Sequence, residues 1–168
     1  MEENFKDKWK KRIADMSFTE LSGFYITCNK RLVEPKYKDK QEEINFQILE
    51  IKKNWSSQGK FPNKKRKGRV KEGLMSIMGY HVGEMRGIND DHRINIIKDV
   101  LMGPLPLVGD PEYMKWWGPD KDELRLTRMK MWLNDKIYSP MNKSNYRAIG
   151  EWKEDLRWVE IYGKDYID

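Results

Sequence analysis

The chain has very little with which to hold itself together covalently or through a metal. Among its 168 residues there is one cysteine, Cys28, which excludes an intrachain disulfide and any zinc site built on several thiolates. Histidine is nearly as scarce: His81 and His92 are the only two, and they do not form a His-Glu-x-x-His helix. No metal site is therefore expected. No apolar run approaches the roughly 20 residues that a bilayer-crossing helix needs. The first residues, MEENFKDKWKK, lack the apolar stretch of a secretory leader. A cytoplasmic protein without a membrane partner is the expectation. Adjacent segments do not alternate with strand period, and no internal repeat is visible. The phosphate loop, the nucleophile elbow and the dinucleotide fingerprint are missing as well. These absences favour binding over catalysis, and no cofactor is expected.

What the chain does have is aromatic bulk and charge. Seven Trp and eight Tyr supply a large apolar payload, while 36% of residues are charged. That combination belongs to a folded protein with a wet surface rather than to a disordered chain. Cys28 sits beside Phe24, Tyr25 and Ile26, so a buried, inert thiol is expected.

The fold class predicted from periodicity is all-α: a multi-helical single domain with an N-terminal helical hairpin. Phe5, Trp9 and Ile13 share one helical face. Ser17 and Glu20 have the spacing of a capping box, so a helix should follow and run to about Val33, where Pro35 ends it. Ile44, Ile48, Ile51 and Trp55 mark the apolar stripe of a helix over 36–55. Residues 1–55 thus read as the hairpin, 56–70 as a basic loop and 71–168 as a helical scaffold. In the scaffold Asn89 or Asp90 opens one helix, Asp110-Pro111 a short one, Asp120 another and Ser144 or Asn145 the last. The expected core takes in Ile48, Leu74, Ile97, Leu101, Leu124, Trp132, Trp152 and Leu156. His92, in a first helical turn, is expected to face solvent.

Charge is unevenly placed. Residues 1–71 carry 19 Lys and Arg against 10 Asp and Glu, whereas residues 72–168 carry 14 against 17. The densest stretch holds Lys60, Lys64, Lys65, Arg66, Lys67, Arg69 and Lys71, seven cations in twelve residues with no carboxylate between them. A basic loop of this kind binds phosphates by releasing condensed counterions and does not read sequence. The expected partner is nucleic acid or an acidic protein surface; a solvated connection is the plain alternative.

Several short motifs lie further along: Gly79-Tyr80-His81-Val82-Gly83, the helix carrying Arg93, the Trp117-Gly118-Pro119 turn, and Trp152-x-x-Asp155-Leu156. With them the chain resembles, over about 61–162, a small bacterial family of helical proteins that carries a Gly-Tyr-x-Val-Gly turn, an Arg-initiated helix, a Trp-Gly-x-Pro turn and a closing Trp-x-x-Asp-Leu helix. Here Pro119 follows Gly118 directly, a departure from the third of these. The resemblance implies a bacterial or phage source and a helical fold, and it supplies no catalytic residue.

Two alternatives stand beside the polyanion-binding reading. An enzyme with an unfamiliar helical site would use Tyr80, His81, Glu84 and Arg86, which join possible acid–base groups to a Gly-rich turn. A protein-directed inhibitor or adaptor would dock through Trp117 and the basic loop, since an exposed Trp marks a binding hot spot, although core packing is the favoured reading of the Trp116-Trp117 pair. The leading expectation is a non-enzymatic accessory or regulatory protein of a bacterial or phage nucleic-acid-handling or defence system.

Overall fold

The computed structural model describes residues 2–57, 73–108 and 111–168. Among them there are eight α-helices and three 3-10 turns, and no strand. The all-α reading holds. The helices gather into two compact units, the first running to Met78 and taking in the connector from Pro104, the second formed by the rest.

The first unit contains α1 (Glu2–Ala14), α2 (Phe18–Val33), a 3-10 turn (Pro35–Lys40), α3 (Gln41–Ser57) and the short α4 (Leu74–Ile77). Local chemistry accounts for its boundaries. The Ser17 N–H donates to Glu20 Oε2 at 2.8 Å, and the Glu20 N–H donates to Ser17 Oγ at 3.4 Å. This reciprocal cap is worth about 1 kcal/mol to α2, and the hydrogen bonds from Ser17 lower the Glu20 carboxyl from its ordinary range. Pro35 pushes Glu34 to an extended ψ of 123° and so stops α2. The helix expected over 36–55 begins later, at Gln41, because Pro35–Lys40 winds as the 3-10 turn.

α2 and α3 then return against each other as the N-terminal hairpin. Gln41 donates to the Leu32 carbonyl, Cys28 lies against Gln47, and the Tyr25 and Trp55 rings meet at 4.7 Å. Ile44, Ile48, Ile51 and Trp55 are buried, as their spacing predicts. Trp55 Nε1 donates to the Pro104 carbonyl, which satisfies the polar edge of a fully buried ring.

Cys28 is fully buried, and desolvation pushes its thiol up to about 12. The reactive species is the thiolate, so the folded protein is expected to leave a thiol-reactive dye unconsumed at about pH 8, where a free cysteine is partly ionised. Labelling should be complete once denaturant exposes the hairpin. Rapid labelling of the native protein would show that the α2–α3 seam opens readily.

The second unit contains α5 (Asp90–Met102), α6 (Pro111–Trp117), α7 (Glu123–Tyr138), a 3-10 turn (Pro140–Asn142), α8 (Tyr146–Tyr162) and a closing 3-10 turn (Gly163–Tyr166). Asn89 caps α5 by accepting from the His92 N–H, and Asn145 caps α8 by accepting from the Ala148 N–H. Asp122, two residues beyond the expected Asp120, caps α7. Asp110 falls outside the described residues.

The buried faces differ from the sequence expectation at several positions. Ile48, Leu74, Ile97, Leu101 and Trp152 are buried, but Leu124 is 41% exposed, and Trp132 and Leu156 are half-buried. In α7 the core stripe is Leu126, Met129, Leu133 and Ile137, a spacing that leaves Leu124 on the helix shoulder. In α8 it is Ala148, Trp152, Asp155 and Val159, so a carboxylate takes the inner position expected for Leu156. His92 is 5% exposed rather than facing solvent: with Arg93 it begins the buried face of α5, while Asp90 and Asp91 of the same turn are exposed.

Candidate functional site

The motifs around residue 80 converge within the second unit on one buried polar network. The Tyr80 hydroxyl and the Arg93 guanidinium meet the same carboxylate oxygen, Asp155 Oδ2; Arg93 Nε donates to it at 2.8 Å and Tyr80 Oη donates to it also. Arg93 Nη1 reaches the Ile88 carbonyl at 3.0 Å. The side chains of Arg93 and Asp155 are 3% and 2% exposed. Burial raises the Asp155 carboxyl above its ordinary range, although the bonds from Arg93 and Tyr80 pull it down. Burial, together with the adjacent Asp155 charge, pushes the Tyr80 phenol well up. Tyr80 is thereby a neutral donor whose proton is committed to Asp155.

The glycines of this turn serve its shape. Gly83 has φ +90° and donates its N–H to Glu151 Oε2 at 2.7 Å. The Gly87 N–H donates to the Gly83 carbonyl, and a Cβ on Gly87 would lie 2.3 Å from that oxygen. Only glycine permits so close an approach of backbone to backbone. Glu151 also accepts from Arg147 Nε at 3.2 Å.

The four residues of the enzyme alternative are therefore parted. Tyr80 turns inward to Asp155. His81 is half-buried, and its carbonyl accepts from the Ile88 N–H. Glu84 and Arg86 are exposed and line an open groove with Met85, Asn145, Tyr146 and Arg147. Neither Tyr80 nor His81 is among the residues bordering that groove. Among the described residues, no three His, Cys, Asp or Glu side chains gather in a way that could hold a metal ion.

Trp117 packs in the core, the favoured expectation for the Trp116-Trp117 pair, and does not offer the exposed ring that docking through it would need. It is fully buried, with Trp116 packed edge-on at 5.1 Å and Tyr113 at 6.5 Å. Trp116 is the half-exposed partner, with the Arg128 guanidinium over its ring at 5.0 Å. The reason is helical phase: two adjacent side chains on α6 point about 100° apart, and only one can enter the core.

Lys60, Lys64, Lys65, Arg66, Lys67, Arg69 and Lys71 all lie outside the described residues. Among the described residues of the first unit, Lys6, Lys8, Lys10, Lys11 and Arg12 on α1 and Lys36, Lys38 and Lys40 on the 3-10 turn are exposed. Some of these cations are locally compensated: Lys10 pairs with Asp7, and Lys36 with Glu34 at 2.9 Å. Residues 2–57 hold 12 Lys and Arg against 10 Asp and Glu, so most of the N-terminal excess belongs to the 60–71 segment itself.

Asp155 and Arg125 take buried roles that were not expected from the sequence. Residues 148, 152, 155 and 159 follow the 4-3-4 spacing of a buried stripe, but 148, 152, 156 and 159 fit the helical period equally well, so spacing left the choice between Asp155 and Leu156 open. Arg125, 4% exposed, donates to the carbonyls of Val100, Gly103 and Gly118; burial lowers its guanidinium to about 10. No local pattern announces that role. No helix among the described residues is long and apolar enough to cross a membrane. No family model, curated protein or solved structure matches the chain.

Proposed function

We propose that the protein is a non-enzymatic polyanion-binding protein, an accessory or regulatory component that touches nucleic-acid phosphates through its basic N-terminal half. The observation that carries this reading is the segment Lys60–Lys71, with seven cations and no carboxylate. The setting in a bacterial or phage nucleic-acid-handling or defence system rests on the motif resemblance alone. Support for binding over catalysis comes from the use made of the polar groups near residue 80: Tyr80, Arg93 and Asp155 satisfy one another inside the second unit.

Salt titration tests the proposal. The logarithm of affinity for nucleic acid should fall with the logarithm of salt by nearly one unit of slope per phosphate contacted. Changing Lys64, Lys65, Arg66 and Lys67 together to Ala should weaken binding to all sequences alike and flatten the slope by up to roughly 3–4 units, with helical circular dichroism unchanged. Absence of binding by the wild type at low salt would overturn it. The protein-directed alternative places an acidic protein, rather than nucleic acid, on the same Lys60–Lys71 segment. It predicts that the quadruple variant loses an acidic protein partner and no nucleic acid.

A further inference from the structure

We infer that a groove on the first unit binds a guanine nucleotide, which makes single-stranded nucleic acid the preferred polyanion. The groove is open to solvent and has a volume of about 360 Å³, within the range of small-ligand sites. Its aromatic walls are Phe5 from α1 and Phe46 from α3, both half-buried. Lys6 and Lys40 supply cations at its edge, and Asp39, Glu42 and Glu43 supply carboxylates.

This mixed lining selects the ligand. A simple anion such as phosphate would meet the carboxylates, and a simple organic cation would meet the two lysines. A nucleotide satisfies both sets at once. Its base stacks on aromatic rings, the donors on the base edge reach carboxylates, and its phosphate reaches the ammonium groups. Guanine is favoured among the bases because its N1–H and N2 amino group lie side by side and can engage the two oxygens of one carboxylate, a pairing the Watson–Crick edges of adenine, cytosine and uracil do not offer. Glu43 accepts from Gln47 Nε2 at 3.2 Å, which commits one of its oxygens; Asp39 and Glu42, both exposed, can offer both oxygens to the base edge. Lys6 Nζ lies 5.9 Å from the centre of the Phe46 ring. It marks that face as one that attracts a charged or electron-poor group, and its exposed flexible stem can swing aside to meet a phosphate.

Base pairing in a duplex hides the edge that these carboxylates would read and stacks both base faces, so the groove discriminates against double strands. This inference rests on the polyanion reading for its biological meaning, but its test does not depend on the basic segment. The probe is guanosine monophosphate, titrated calorimetrically into the full chain, with inosine monophosphate and ribose 5-phosphate as comparisons. The expected order is guanosine over inosine monophosphate, which lacks the N2 amino group, with ribose 5-phosphate weakest. Phe46→Leu keeps an apolar side chain but removes the ring; it should weaken binding by roughly 5- to 150-fold, with the helical signal retained. Glu42→Gln and Asp39→Asn should reduce the preference for guanosine over inosine monophosphate. The quadruple variant of the basic segment should bind guanosine monophosphate as the wild type does, even where it no longer binds a strand. Guanosine monophosphate binding no tighter than ribose 5-phosphate binding, or unaffected by Phe46→Leu, would overturn the inference while leaving the salt-dependence test of the polyanion reading intact.

Discussion

Replacing Arg93 by Ala should destabilise the second unit by about 3–5 kcal/mol, the cost of leaving one member of a buried ion pair without its partner. Arg93 and Asp155 are almost wholly removed from solvent, and the Tyr80 hydroxyl alone cannot neutralise the carboxylate that would remain. Urea unfolding followed by tryptophan fluorescence measures the loss, since the Trp132 ring lies 5.5 Å from that of Tyr80. The size of the effect should depend on pH in a defined direction. Burial already holds the Asp155 carboxyl above its ordinary value of 3.8, and removing Arg93 takes away a group that pulls it down. A carboxyl raised in the folded state contributes stability that is fully present below its unfolded pKa and is lost as pH rises through its folded pKa. The deficit of the variant should therefore shrink towards acid pH, where Asp155 is protonated, and be largest near neutrality. A loss below about 0.5 kcal/mol would place the network at the surface. The combined change Tyr80→Phe, Arg93→Met and Asp155→Leu should recover much of the loss, because apolar groups of similar size often replace a buried ion pair without penalty.

Replacing Arg125 by Met should cost on the order of 3–5 kcal/mol, by a different route. Arg125 Nη1 lies 3.0 Å from the Val100 carbonyl and 2.7 Å from that of Gly103, and Nη2 lies 2.5 Å from that of Gly118. These hydrogen bonds close the C-terminal end of α5 and tie it to the turn after α6. Without the guanidinium, carbonyls sheltered from water lose their donor, at about 1–3 kcal/mol for each unsatisfied group. Arg125→Lys retains a charge but presents no planar fork, so it should recover only part of the stability. Equal stability for wild type and Arg125→Met would mean that water replaces the guanidinium at all three oxygens. The turn being tied is itself constrained: Gly118 has φ +75°, and a Cβ there would lie 3.0 Å from Leu124 Cδ2.

The second unit also shows how the short motifs of the chain divide between structure and function. The Gly-rich turn, the Arg93 helix and the Trp152-x-x-Asp155-Leu156 helix come from segments more than sixty residues apart at their extremes, as the 75-residue separation of Tyr80 and Asp155 shows. Their conspicuous residues are used to hold one another. The binding proposed above falls to other residues: those of the groove beside Phe46 and the basic segment outside the described residues.

The sequence by itself determined that the protein is helical and where most of its helices begin and end. The Ser17–Glu20 cap, the Pro35 stop, the Asn89 and Asn145 caps and the Ile44–Ile48–Ile51–Trp55 stripe all act within a few residues of chain, and such effects are legible wherever the side chains responsible are written. The net charge of the 60–71 segment was legible for the same reason. Only the tertiary structure decided which face of α8 turns inward, and so placed Asp155 where Leu156 was expected. It also put Trp117 rather than Trp116 in the core, buried His92, and gave Arg125 three carbonyls on other segments. Those outcomes depend on what lies opposite each side chain after folding. A helix with both an apolar and a polar candidate one position apart has no internal reason to choose between them; a rotation of about 100° is settled by the partners it meets.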